Sequence, residues 1–238
     1  GYKSSSDVTS STSNIKVRGD SFDLSTGFNF NTTGTLTIES FGGSFIDAFN
    51  TSQLTYSSGL TGLTIGKSGN TAGITIGSAT TIAGPIALFG GIVAVNFPLT
   101  ATNSTISITS STSLTDGASG YLIANGLALN GAGTVTLDHA SNDVNTLAGG
   151  SSGSRIGALS YFDADDLTIG TVNPTGIYSS GDIKIETGAG DINLTEPVNT
   201  NSNTTTTTGY SGAIILNAGK NTAIGTATGG DIKVSGNG

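Results

Sequence analysis

Three carboxylates fall within four positions at Asp163, Asp165 and Asp166, the densest acidic cluster in the chain. On an extended strand Asp163 and Asp165 project to the same face, a spacing suited to a carboxylate pair for glycoside hydrolysis or to oxygen ligands for Ca²⁺. The plainer reading is a solvated turn leading into Leu167. No catalytic residue and no metal is assigned on this basis; if a cation binds anywhere, these three aspartates are the candidates.

The other chemistry-bearing residues are sparse. His139, the single histidine, follows Asp138, and many serines could formally complete a Ser-His-Asp set. Serine is so abundant that the pattern has no specificity, and a surface histidine is expected. Arg18 and Arg155 are the only arginines, too few for a cationic cleft that would hold a uronate polymer. The ending from Gly229 to Gly238 partly follows the glycine-aspartate calcium nonapeptide, but Asp231 has no second aspartate at the needed offset. Tyr56, Tyr161 and Tyr178 are the members available for an exposed aromatic row. Thr35 with Thr37 and Thr134 with Thr136 have the Thr-X-Thr form of an ice-binding face without its repetition. Sequons at Asn31, Asn50, Asn103, Asn193 and Asn203 are what chance supplies in a chain so rich in Asn, Ser and Thr.

Any such group must be held by strands. Two aliphatics flanking a small or polar residue recur along the chain, as in Leu36-Thr37-Ile38, Ile74-Thr75-Ile76, Ile106-Ser107-Ile108, Val135-Thr136-Leu137 and Ile183-Lys184-Ile185. This is the period-2 signature of a strand with one buried face. No window carries apolar residues at i, i+3, i+4 and i+7 over a dozen positions, so helix content should be close to nil. Gly-Asp-Ile recurs at Gly181, Gly190 and Gly230, with Gly212-Ala213-Ile214 near the midpoint of the last two, which suggests a unit of about 20 residues. Short strands at that period stack as the rungs of a parallel β-helix, each burying its aliphatics against the rungs above and below. Residues 42–58 break the rhythm and read as an irregular rung or excursion. The threonine-rich stretch 199–209 reads as a surface loop, and Pro98, Pro174 and Pro197 as corners. The apolar stretch from Ile82 to Val95 is shorter than the roughly 20 residues a membrane helix needs and reads as buried strands.

Composition agrees. Of 238 residues 35% are hydrophobic, 10% are charged and 37 are glycine, against roughly a quarter charged in an ordinary globular domain. Sixteen acidic residues against eight basic ones give a net charge of −8, with no basic block to meet phosphates, so nucleic acid is an unexpected partner. Cysteine is absent, which excludes disulfides and thiolate metal sites and is compatible with export.

The most specific phrases lie between Val135 and Val198: Asn142-Asp143-Val144-Asn145-Thr146-Leu147-Ala148-Gly149, then Tyr161 to Val172, then Gly176-Ile177, Gly181-Asp182-Ile183 and Gly190-Asp191-Ile192-Asn193-Leu194. Their order resembles the β-strand repeats of filamentous haemagglutinin-like exoproteins, the large surface proteins of Gram-negative bacteria and cyanobacteria. The resemblance is in cadence over 135–238 and only in style over 1–134. It implies an all-β, right-handed parallel β-helix, one segment of a larger exported protein. It further implies an extracellular rod or adhesin of the cell surface, with no catalytic residue and no cofactor. The partners implied are surface glycans or proteins, or further copies stacking end to end. A carbohydrate-binding or carbohydrate-active β-helix is the alternative.

Overall fold

A computed structural model describes residues 8–9, 12–22, 28–200, 212–219 and 230–234. Among these the chain is all-β, with one short 3₁₀ turn at Thr51–Gln53. Every strand pairing is parallel, and successive turns of about 21 residues stack as a β-solenoid. The expected fold class is therefore the observed one.

The registers show why the sequence folds this way. One column of directly paired residues runs Ile15, Leu36, Leu63, Ile86, Ile106, Leu127, Leu147, Ile169, Leu194 and Val234. A second runs Phe49, Ile74, Val93, Leu114, Val135, Leu159, Ile183 and Ile214. A third face stacks Ile82, Ala101, Ala124 and Val144. Aliphatics therefore sit on aliphatics along the axis, and nearly all of the mid-stack members are fully buried. Burying one such side chain contributes about 1.5–3 kcal/mol, and the β-branched majority suits the pleated backbone.

Turn length is most uniform between Ile74 and Leu147, where Ile86 pairs with Ile106, Ile106 with Leu127 and Leu127 with Leu147. Elsewhere the corners absorb extra residues. The span 42–58 forms a long rung, carrying Leu36 to its partner Leu63. Within it Phe45 and Phe49 stack at 5.5 Å, and the Phe22 ring meets both edge-on at 5.7 and 5.8 Å. The stretch from Ile82 to Val95 is strand as expected, Thr80–Ile82 followed by Ile86–Val95. The long strands Ile86–Val95 and Leu99–Asp116 turn corners without leaving the ladder, through irregularities between Gly90 and Ile92 and between Ala101 and Thr105.

Two expectations change. The 40-residue interval between the last two Gly-Asp-Ile phrases is a single turn, because Ile192 pairs directly with Ile232. Gly212-Ala213-Ile214 belongs to the second column, over Ile183. The period near 20 is right for the middle of the stack, but Gly181 and Gly190 mark different corners of one turn, and Gly190 and Gly230 mark the same corner one long turn apart. Of the loop expected at 199–209, Asn199 instead closes the strand Val198–Asn199; residues 201–209 lie outside the described residues. Pro98, Pro174 and Pro197 do fall between strands. Each offers only its carbonyl, accepting from Thr80, Val172 and Ile177 respectively, as a residue without an N–H must.

Close stacking at corners sets a test. A Cβ at Gly120 would collide with the carbonyl oxygen of Val95, whereas one at Gly153 would meet nothing. Gly120→Ala is expected to cost about 2–4 kcal/mol in urea unfolding and Gly153→Ala less than about 0.5 kcal/mol. Equal effects would show that the corner is not packed as described.

Candidate functional site

Asp163 does not lie in a solvated turn. It ends the strand Leu159–Asp163 with its side chain wholly buried. Oδ2 accepts the Tyr161 hydroxyl at 2.6 Å and the Val144 N–H of the neighbouring rung at 3.1 Å, and Oδ1 accepts the Asp165 N–H at 3.3 Å. Asp165 and Asp166 are exposed, so the cluster divides between core and surface and offers no convergent carboxylate pair. Among the described residues no three His, Asp or Glu side chains gather as a metal-binding group. Burial pushes the Asp163 carboxyl up to about 7 in spite of the three hydrogen bonds it accepts. Burial also drives the Tyr161 phenol well above its ordinary value, with the Asp163 charge adding to it. Asp165 is raised by partial burial and by the charges of Asp143 and Asp166.

Tyr161 therefore cannot join an exposed aromatic row. It is the largest fully buried side chain, while Tyr56 and Tyr178 are half-buried on different faces of the stack. Arg155 reaches across the rungs, its Nη1 donating to the carbonyls of Ser179 at 3.0 Å and Asn199 at 3.3 Å and to Asn199 Oδ1 at 3.1 Å, with the guanidinium 5.6 Å over the Tyr178 ring. Arg18 and Lys16 instead bind Glu39 at 2.7 and 3.0 Å, which holds that carboxyl below the usual range. His139 is half-buried and stacks on Tyr121 at 5.4 Å. Its Nδ1 accepts the Ser141 N–H at 3.1 Å, and both Asp138 and His139 donate backbone N–H groups to Asp116. These bonds shape a corner and bring no serine hydroxyl to the imidazole.

Several of the aspartates share a role. Asp166 Oδ1 accepts the Asp191 N–H at 2.7 Å, Asp191 Oδ1 accepts the Asp231 N–H at 2.6 Å, and Asp182 Oδ1 accepts the Ala213 N–H at 2.8 Å. The aspartate of each Gly-Asp-Ile phrase thus takes part in an inter-rung bond at a corner, and Asp191 is further paired with Lys233. The glycine-aspartate ending around Asp231 is a continuation of this column. The outward neighbours of Thr37 are Lys16 and Thr64, followed by Ala87, and those of Thr136 are Thr115 and Ser160. Neither forms a threonine array. Of the sequon residues, Asn50 caps the 3₁₀ turn by accepting the Ser52 N–H at 2.9 Å, and Asn203 lies outside the described residues.

One surface feature escaped the sequence reading. Between Ala101 and Thr105 the strand Leu99–Asp116 bulges away from its neighbour Leu122–Asn130, with Asn103 at φ 53°. The bulge walls a groove of about 230 Å³ lined by Thr100, Thr102, Asn103, Asn125, Asp143 and Asn145, over Ala101, Ile123 and Ala124. Asn145 Nδ2 donates to Asn125 Oδ1 at 2.9 Å along the axis. The signal was the break in alternation at Thr102-Asn103-Ser104, which a chain so full of Ser, Thr and Asn conceals.

Comparison of the chain with protein-family models, with curated proteins and with solved structures gave no match.

The buried acid makes stability depend on pH. The folded state retains a proton that the unfolded chain releases near pH 4, so the contribution of Asp163 is greatest below about pH 4. It declines as pH rises to about 7 and is level above. The expected slope is about 1 kcal/mol per pH unit across that window, measured by urea unfolding between pH 4.5 and 8. Asp163→Asn should remove it; an unchanged slope would place the proton elsewhere.

Proposed function

We propose that the chain is a non-catalytic structural and adhesive rod of an exported bacterial surface protein. On this reading it extends from the cell surface and attaches to glycans or proteins of neighbouring surfaces, or assembles with further copies. The observation that supports it most is how the polar side chains are used. Among the described residues every fully buried side-chain nitrogen and oxygen has a hydrogen-bond partner, and the corner acids and amides bond neighbouring rungs. Such use favours a stiff stack, because each corner bond ties one turn to the next, and it leaves the outward Thr, Ser and Asn of three faces for display. The resemblance to filamentous haemagglutinin-like repeats points the same way. Asp163 argues against the carbohydrate-active alternative, since a buried carboxyl already accepting from Tyr161, Val144 and Asp165 has no approach for a substrate. The net charge of −8 favours partners other than nucleic acid.

Beads carrying the folded chain are expected to hold to a polysaccharide- or cell-coated surface under flow, and beads carrying heat-unfolded chain to wash off. Retention no better than that of albumin-coated beads would remove the adhesive role. In parallel, reducing ends should not accumulate when the chain is incubated with those polysaccharides. Accumulation abolished by Asp165→Asn would replace the rod by an enzyme.

A further inference from the structure

We infer that the groove beside the bulge at Asn103 is a binding site for an uncharged, hydroxyl-rich saccharide. The inference rests on the adhesive reading and names the surface that would carry it.

The polar side chains of this groove are used differently from the corner acids. Asp116, Asp163, Asp166, Asp182 and Asp191 each accept a backbone N–H from a neighbouring rung or corner. Asp143, half-buried in the groove, accepts none among the described residues, and Thr100, Thr102 and Asn103 likewise form no side-chain hydrogen bond there. The Asn145 to Asn125 bond uses one amide N–H and one oxygen, leaving the Asn125 amide nitrogen and the Asn145 oxygen for a ligand. The groove thus holds a carboxylate acceptor, two threonine hydroxyls and three carboxamides that both donate and accept. These surround the half-buried side chain of Ile123, with the buried Ala101 and Ala124 beneath it.

That combination matches a sugar ring, which presents C–H groups on its faces and hydroxyls around its edge. Charge narrows the class. No Lys or Arg lines the groove, and Asp143 lies close enough to Asp165 to raise its carboxyl, so uronates and sulfated sugars would meet repulsion. About 230 Å³ is below the roughly 300–1,000 Å³ of pockets that enclose a drug-sized ligand. It therefore seats one ring of a chain whose remainder stays on the surface. The backbone supports the assignment: Asn103 takes a left-handed conformation uncommon outside glycine, and the bulge that requires it opens the wall.

The test is titration calorimetry at pH 7.5 with cellohexaose, maltohexaose, chitohexaose and trigalacturonate. At least one neutral oligomer is expected to bind with Kd of about 1 mM or tighter, and trigalacturonate at least about tenfold more weakly. Asp143→Asn should weaken the neutral oligomer about tenfold through loss of a charged acceptor. Asn103→Gly, which keeps the left-handed backbone and removes only the side chain, should weaken it several-fold. Thr136→Ala on another face should bind as the parent does. Absence of binding by all three neutral oligomers overturns the inference, as does binding unchanged in both groove variants. If the groove variants bind normally while the parent beads still hold under flow, the groove is wrong and adhesion stands. If the groove binds sugar and the beads do not hold, adhesion is wrong and the site stands.

Discussion

A strand in this stack has no choice of neighbour. Parallel pairing places residue i of one turn directly over its counterpart in the next, so whatever occupies one level must suit the level above and below. The column from Ile15 through Leu127 to Val234 is the consequence. A polar residue substituted at any level would lie between two apolar ones with no water to satisfy it. The same constraint makes the turns between columns the place where length varies, because an added corner residue leaves the register of the flanking strands intact. Leu36 reaches Leu63, and Ile192 reaches Ile232, with the pairing on either side undisturbed.

Corners carry a difficulty that strands do not. The chain leaves one ladder and enters another, and backbone N–H groups there must find acceptors. Short acids and amides supply them: Asn14 for Thr35, Asp116 for Asp138 and His139, Asn142 for Leu122, Asp182 for Ala213. This explains an acidic chain with few cations, since a carboxylate accepting backbone N–H groups needs no salt-bridge partner. Asp163 combines both aspects, joining the rungs through Val144 while sharing Tyr161 in the core, and its raised pKa follows from burial.

The strands and their stacking were legible because alternation and a repeat near 20 residues are properties of sequence alone. The corners were legible only as punctuation. Gly181, Gly190 and Gly230 look like three copies of one unit, yet pairing places Ile183 under Ile214 and Ile192 under Ile232; a motif marks a corner type and is silent on how many residues separate two corners. Burial of Asp163 and Tyr161 was hidden for a related reason. In Tyr161-Phe162-Asp163 the alternation puts Tyr161 and Asp163 on the inner face, and charge made that assignment look wrong until a phenol and two backbone N–H groups are seen to satisfy the acid. The aromatic cluster of Phe22, Phe45 and Phe49 joins residues from separate rungs, which spacing alone does not bring together.

Regularity and recognition oppose each other in such a stack. A column that repeats without interruption offers every ligand the same narrow set of outward side chains, and its corner acids are occupied with neighbouring N–H groups. Specificity requires a place where the ladder yields without breaking. The bulge between Ala101 and Thr105 meets that condition, for the pairings of Ala101 with Ala124 and Ile106 with Leu127 persist on either side. Between them Asn103 turns outward beside amides at Asn125 and Asn145 that lie at successive levels. The core below is unchanged, so the cost of the irregularity is confined to a few surface residues. A stack of this kind can therefore vary its surface by altering bulges and corners while retaining the columns that make it fold.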